Sequence, residues 1–298
     1  MSGPLALSRM RSPMLGNAAS VLHSTVRIAC NGKDGSQSIG TGFTYGILEN
    51  ENNQGLPAII TNKHVIEGAT EGHFFLTVDD GLGNPNFGKY VSVTLKNFSE
   101  IWLPHPNPEV DLAACMVGGL FNQMEAEGCQ VFARCLTKRL IPTPQQLTEL
   151  SAIEDIVMIG YPSGIWDKSN NIPLVRRGIT STPPYLDYEG RKEFMIDAAC
   201  FPGSSGSPVF ILNQAFYSDR MGTIVPTNRV LLLGILYAGP QYTAEGHIVI
   251  VDAPTVQRPV SLSSVPMNLG LCLKAERLLD FEKVVLERGW GAPQAVSK

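Results

Sequence analysis

The run FPGSSGSPVF, residues 201–210, sets five small residues, Gly203 to Ser207, between two prolines and then enters the apolar stretch PVFIL at 208–212. A hydroxyl that acts as a nucleophile needs no bulk beside it, so that a substrate can approach. It also needs backbone N–H groups aimed at the oxyanion that develops, and flanking glycines let the chain turn that way. The apolar segment after the serines is short, β-branched and aromatic, which predicts a strand rather than a helix. Taken alone, the run also reads as a plain Gly/Ser/Pro turn.

Two further segments change its weight. In AIITNKHVIEG, residues 58–68, an apolar strand runs into Thr61 and Asn62, and His64 follows at once. An imidazole at a strand end suits a general base. In PEVDLAACMV, residues 108–117, Asp111 heads another apolar strand, where a carboxylate can hold an imidazole N–H and fix its tautomer. A lone histidine is more often structural, and a lone aspartate before a strand is more often a turn residue. The three together are in the order His, Asp, Ser, with 47 positions from His64 to Asp111 and 94 from Asp111 to Ser205.

The wider pattern is a rhythm of short β-type runs. One group lies at 24–30, 39–48, 57–62, 74–78, 89–96 and 111–117; the second lies at 155–160, 173–182, 193–199, 208–212, 230–238 and 267–273. Gly, Asn, Asp and Pro punctuate them, and Gly and Pro number 29 and 21, which suits many strands joined by turns. His64 and Asp111 fall in the first group and Ser205 in the second, which predicts a cleft between two units. The expectation is an all-β fold of two six-stranded antiparallel β-barrels with a C-terminal α-helix. Residues 1–20 read as a flexible leader, 21–118 as the first barrel, 119–152 as a linker with a short helix, and 153–290 as the second barrel and its helix. That helix is read from LKAERLLDFEKVVLERG, where Ala275, Leu278, Leu279, Phe281, Val284 and Val285 recur at helical spacing and Gly289 ends the pattern.

The three segments resemble the signature blocks of chymotrypsin-fold serine peptidases: TNKHV the histidine block, DLA the aspartate block and GSSGSPV the serine block. The GxSGSP form, with GTGF at 40–43, is more similar to compact bacterial trypsin-like members than to digestive trypsins. The resemblance spans roughly 24–285. It implies a serine endopeptidase with Ser205 as nucleophile, His64 as base and Asp111 orienting His64. The motif register selects Ser205 over Ser204 and Ser207. The backbone N–H groups of Gly203 and Ser205 would form the oxyanion hole. Ala199, Cys200, Leu236, Tyr237, Ala238 and Gly239 would line the substrate pocket; none is charged, so the expected P1 residue is small or medium and apolar. His247, in the insertion at 239–265, could fold back and reverse that preference. Trypsins place an aspartate before the nucleophile to pair with a cut N-terminus. Here Ser204 stands there, so the site is either preformed or ordered by a regulatory protein partner. The rival readings are a catalytically silent binding module and an esterase; the latter class shows GxSxG on a strand-turn-helix.

Other partners find little support. Net charge is −4 and no block of five like charges occurs, so no nucleic-acid footprint is visible. No run of 18 apolar residues exists to span a membrane, and the N-terminal segment lacks a signal-peptide pattern. The six cysteines show no CxxC or Cys/His cluster, so no metal and no cofactor are expected. They read as free, mostly buried thiols of a cytoplasmic protein. The polypeptide substrate is the one firm partner.

Overall fold

The runs of Val, Ile, Phe, Tyr and Thr form strands close to where the pattern puts them. The computed structural model describes residues 5–6, 17–244 and 263–290. In the first half these are β1 (Thr25–Gly32), β2 (Gln37–Ile47), β3 (Gln54–Thr61), β4 (Ala69–Asp79), β5 (Pro85–Lys96), β6 (Leu103–Pro104) and β7 (Ala113–Met116). They pair antiparallel in the order β5-β4-β1-β2-β3-β7-β6. With the short strand Leu5–Ala6 paired beside β3 the sheet counts eight strands, β6 among them, and the ladder stays open between β5 and β6 among the described residues. Two residues are too few to show a period, which is why β6 left no mark in the sequence.

The second half holds β8 (Asp155–Gly160), β9 (Leu174–Thr180), β10 (Glu193–Asp197), β11 (Pro208–Asn213), β12 (Arg229–Ala238) and β13 (Leu269–Lys274). These six close into the expected antiparallel barrel, β9-β10-β13-β12-β11-β8.

Alternation along the strands builds three cores. In β3, Ile59 joins a cluster inside the first sheet, with Ile28, Phe74 and Trp102, while Ala58 and Ile60 face the other way. In β11, Val209 and Ile211 fill the closed barrel beside Phe194 and Leu233, while Phe210 faces out of it. The outward residues of both halves meet in a third cluster: Phe43, Tyr45 and Ile60 from the first, Ile159, Phe210 and Ile235 from the second. Strands buried on both faces read as continuous apolar runs, as LLLGIL at 231–236 does.

The C-terminal segment caps this shared core. Ala275–Leu279 forms a 3-10 turn and Asp280–Glu287 an α-helix, with Leu278, Phe281 and Val285 buried. Gly289 ends it at φ +69°, where its N–H donates to Leu286 O at 2.9 Å and Trp290 N–H to Val285 O at 3.1 Å.

Two connecting segments hold regular structure of their own. Ahead of β1, Leu5–Ala6 pairs with Gly55 and Gln54 on β3, and Asn17–Leu22 is helical. The segment after Val117 is tied down. It holds helices at Gly118–Ala126 and Pro144–Glu149, the second started by a Thr143/Gln146 capping box. Between them Phe132 N–H donates to Thr77 O and Leu136 N–H to Thr44 O, both at 2.8 Å.

Candidate active site

Strands β3 and β7 lie side by side, with Thr61 opposite Ala113. Beyond the end of β3 comes Asn62 and a single helical turn, Lys63–Ile66; just before β7 stands Asp111. The ladder thus brings together residues 47 apart in the chain, and His64 Nδ1 lies 2.5 Å from Asp111 Oδ2. The His64 N–H donates to Asp111 Oδ1 at 3.2 Å, and Asn62 Nδ2 donates to Asp111 O at 2.7 Å. A carboxylate only accepts, so in the neutral ring Nδ1 carries the proton and Nε2 is left as the acceptor. Burial alone would raise the Asp111 pKa, but the hydrogen bonds and charge from His64 outweigh it and hold the carboxyl below its ordinary range. The side chain is 45% exposed, so the ring is open to a substrate.

Ser205 sits in a tight loop. Ser204 N–H donates to Phe201 O at 3.0 Å, Ser207 N–H to Ser204 O at 3.0 Å, and Gly206 N–H to Leu236 O at 2.8 Å. Gly203 and Gly206 have φ of +86° and +85°, and a side chain at Gly206 would come within 1.9 Å of Thr41 O. Only glycine fits there. The Pro202 carbonyl accepts from Ser163 N at 2.6 Å. The N–H groups of Gly203 and Ser205 donate no hydrogen bond among the described residues, so both remain available to an oxyanion. Ser204 and Ser207 are buried, with hydroxyls that find no partner within the described residues.

The loop docks on the first sheet near His64. Thr41 of β2 donates from its N–H to Ser205 O at 2.9 Å and from Oγ1 to Gly203 O at 3.0 Å. Thr61, three residues before His64, donates from Oγ1 to Thr41 O at 2.7 Å. No hydrogen bond joins Ser205 Oγ to His64 within the described residues. Such a bond commonly tightens only with substrate present.

Beside Ser205 lies a pocket of about 250 Å³, lined also by Cys200, Phe201, Pro202, Leu236, Ala238, Gly239 and Pro240. Of the expected wall, Cys200, Leu236, Ala238 and Gly239 are there; Ala199 and Tyr237 are not. Tyr237, at an irregularity in the β12–β13 register, packs against the shared core instead, and its hydroxyl donates to Glu193 Oε2 at 2.9 Å. Burial pushes the Cys200 thiol up to about 11, so it is no thiolate rival to Ser205. Arg177 points outward to Asp155, whereas Arg176 lies 4.9 Å from the Phe201 ring centroid. His247 lies outside the described residues.

The trypsin-like peptidase domain family matches residues 40–215, more than half the chain, from GTGF through the serine loop. The chain belongs to the trypsin-like peptidase family. It is therefore a serine-type peptidase, a hydrolase. No curated protein matches the sequence of this trypsin-like peptidase. Solved structures similar to it include the HtrA-type protease AlgW with a tripeptide, at 15% identity and TM-score 0.48, covering 93% of this chain and 65% of that one. The active form of the M. tuberculosis Rv3671c protease is 18% identical at TM-score 0.41, covering 99% of this chain and 91% of that one. The Yersinia pestis serine endoprotease is 15% identical at TM-score 0.44, covering 97% and 70%. This trypsin-like peptidase spans just under two thirds of the length of AlgW. Among its described residues no helix is long and apolar enough to cross a membrane.

Sequence reading missed Thr41, Thr61, Ser163 and the pocket residues Phe201, Pro202 and Pro240. The GTGF segment within β2 and Gly160-Tyr161-Pro162 at the end of β8 carried the available hint, glycines beside residues with polar groups.

Proposed function

We propose that this trypsin-like peptidase is an endopeptidase that cleaves polypeptides through an acyl-enzyme, with Ser205, His64 and Asp111 as its triad. The observation that carries the reading is the His64–Asp111 pair, which forms at the corner where the Ser205 loop docks. Ser205 Oγ would attack the scissile carbonyl carbon while its proton passes to His64 Nε2. The new oxyanion would accept from the free N–H groups of Gly203 and Ser205. His64 would then protonate the leaving amine as the C–N bond breaks, and a water would release the acyl group by the reverse route. Asp111 holds the ring in the required tautomer and stabilises the imidazolium.

The pocket wall of Cys200, Phe201, Pro202, Leu236, Ala238 and Pro240 offers apolar surface and no charge, which favours a small or medium apolar P1 residue. The six unpaired thiols, four of them buried, favour a reducing cytoplasmic setting.

A fluorophosphonate probe tests the nucleophile. It should label the wild type and leave Ser205→Ala unmodified. Asp111→Asn should fold and lose roughly 10⁴-fold in kcat. A peptide library varied at P1, read by mass spectrometry, should show cuts after Ala, Val or Leu-sized residues. Folded wild-type protein that resists the probe would instead support a silent binding module. A strong preference for a charged P1 would overturn the pocket assignment.

A further inference from the structure

Resting on the reading of Ser205 as nucleophile, we infer that the buried hydroxyl of Thr41 is the positioning group that holds the oxyanion-hole backbone in its working orientation, where trypsins use an ion pair. Each N–H of the hole belongs to a peptide plane whose other end is a carbonyl, so fixing the carbonyls fixes the donors. Thr41 is fully buried and every polar group it has is used. Its Oγ1 accepts from Tyr161 N–H at 3.0 Å, so its single proton goes to the Gly203 carbonyl at 3.0 Å. Its N–H holds the Ser205 carbonyl at 2.9 Å. One residue therefore pins the planes 203–204 and 205–206. These flank the plane that presents the Ser205 N–H.

The remaining plane, 202–203, presents the Gly203 N–H. Its carbonyl is held by Ser163 N–H at 2.6 Å, on the turn that begins at Tyr161. Because Tyr161 N–H is bonded to Thr41 Oγ1, the hydroxyl ties that turn and the serine loop to one atom. The surroundings leave no slack: a side chain at Gly160 would lie 2.1 Å from Ser207 Oγ and 2.7 Å from Thr41 Oγ1. No charge takes part. Ser204, at the position of the trypsin aspartate, makes no hydrogen bond through Oγ within the described residues. The hole is thus assembled by neutral hydrogen bonds across 162 residues of sequence, and needs no cut N-terminus to form.

Thr41→Val keeps the shape and removes the hydroxyl; Thr41→Ser keeps the hydroxyl. In Thr41→Val, kcat should fall by about 10²-fold with KM nearly unchanged, because the loss falls on the transition state. Binding of a peptide boronate, which forms a tetrahedral adduct on Ser205, should weaken by the same factor. Thr41→Ser should stay within a few-fold of wild type on both. Independently of turnover, amide hydrogen exchange at Gly203 to Ser205 should accelerate in Thr41→Val and not in Thr41→Ser, with β8 and β11 unaffected. Should Thr41→Val not fold, Thr41→Cys, a weak donor, takes its place with the same expectations. Unchanged kcat and unchanged loop exchange would overturn the inference. Failure of the wild type to react with fluorophosphonate would overturn the assignment of Ser205 instead, and the exchange comparison would still decide the role of Thr41.

Discussion

His23 lies where the first helix hands over to β1, its ring edge-on to Phe132 at 5.2 Å between centroids, and it is 8% exposed. Its side chain makes no hydrogen bond within the described residues, so nothing there stabilises a charge. Burial accordingly lowers its pKa from 6.5 to about 4. The unfolded chain takes up this proton near pH 6.5 and the native one only near 4. Stability is therefore full above the unfolded pKa and declines as pH falls through that window. Between pH 7 and pH 5 the loss from this one residue is about 2 kcal/mol. Urea titrations of wild type and His23→Gln at the two pH values check it: the variant should be weaker at pH 7, yet lose about 2 kcal/mol less than wild type on going to pH 5. Equal losses would show that His23 is protonated in the folded protein. The same principle explains why the single residues of the site differ so much in legibility. His64, Asp111 and Ser205 carry chemical types that stand out in a local pattern, whereas Thr41 and Ser163 act through backbone partners up to 162 positions away, and a distant carbonyl leaves no trace in the residues beside them.

Among the elements, the strands of the closed barrel were legible as runs rich in Val, Ile, Leu or Phe set off by turn residues; β8 is found at the residues read for it. What could not be read was how strand ends are fastened. Glu154, just before β8, is clamped to Arg229 at the start of β12, with Arg229 Nη2 to Glu154 Oε2 at 2.6 Å. Arg229 also donates from Nε to Asn213 Oδ1 at 2.9 Å and lies 4.1 Å from the Tyr217 ring centroid. The Arg229 and Glu154 side chains are 12% and 6% exposed. A pair this buried contributes little net energy over apolar residues of the same shape, but removing one partner strands the other charge. Glu154→Ala should therefore cost about 3–5 kcal/mol in a chemical-denaturation titration. The double variant Glu154→Leu with Arg229→Met should recover most of that loss. A single variant as stable as wild type would mean that water already solvates the guanidinium.

At the scale of the molecule, the two groups of strand-like runs suggested two units joined by a linker, and the packing ties the two groups into a common core. Phe281 has no exposed surface, and it sits in one cluster with Tyr45 and Ile60 from the first sheet and Phe210 and Leu232 from the second. His105, on the loop leading to Asp111, reaches the same segment: its Nε2 lies 3.1 Å from both Arg277 O and Asp280 Oδ2. A core built from both halves makes each half depend on the other, because separating them would expose the apolar face that the other covers. Unfolding should then be one cooperative transition, with amides of β1 to β7 and of β8 to β13 losing protection at the same urea concentration. Phe281→Ala removes a ring from the middle of that core and should cost about 3–5 kcal/mol. The decisive feature is how the cost is shared. With a common core, the variant lowers the midpoint of both halves together and the transition stays single. If the halves were independent, only the one holding the helix would move and two transitions would separate. Hydrogen exchange read strand by strand across a urea series distinguishes the two outcomes, and the shared cluster predicts the first.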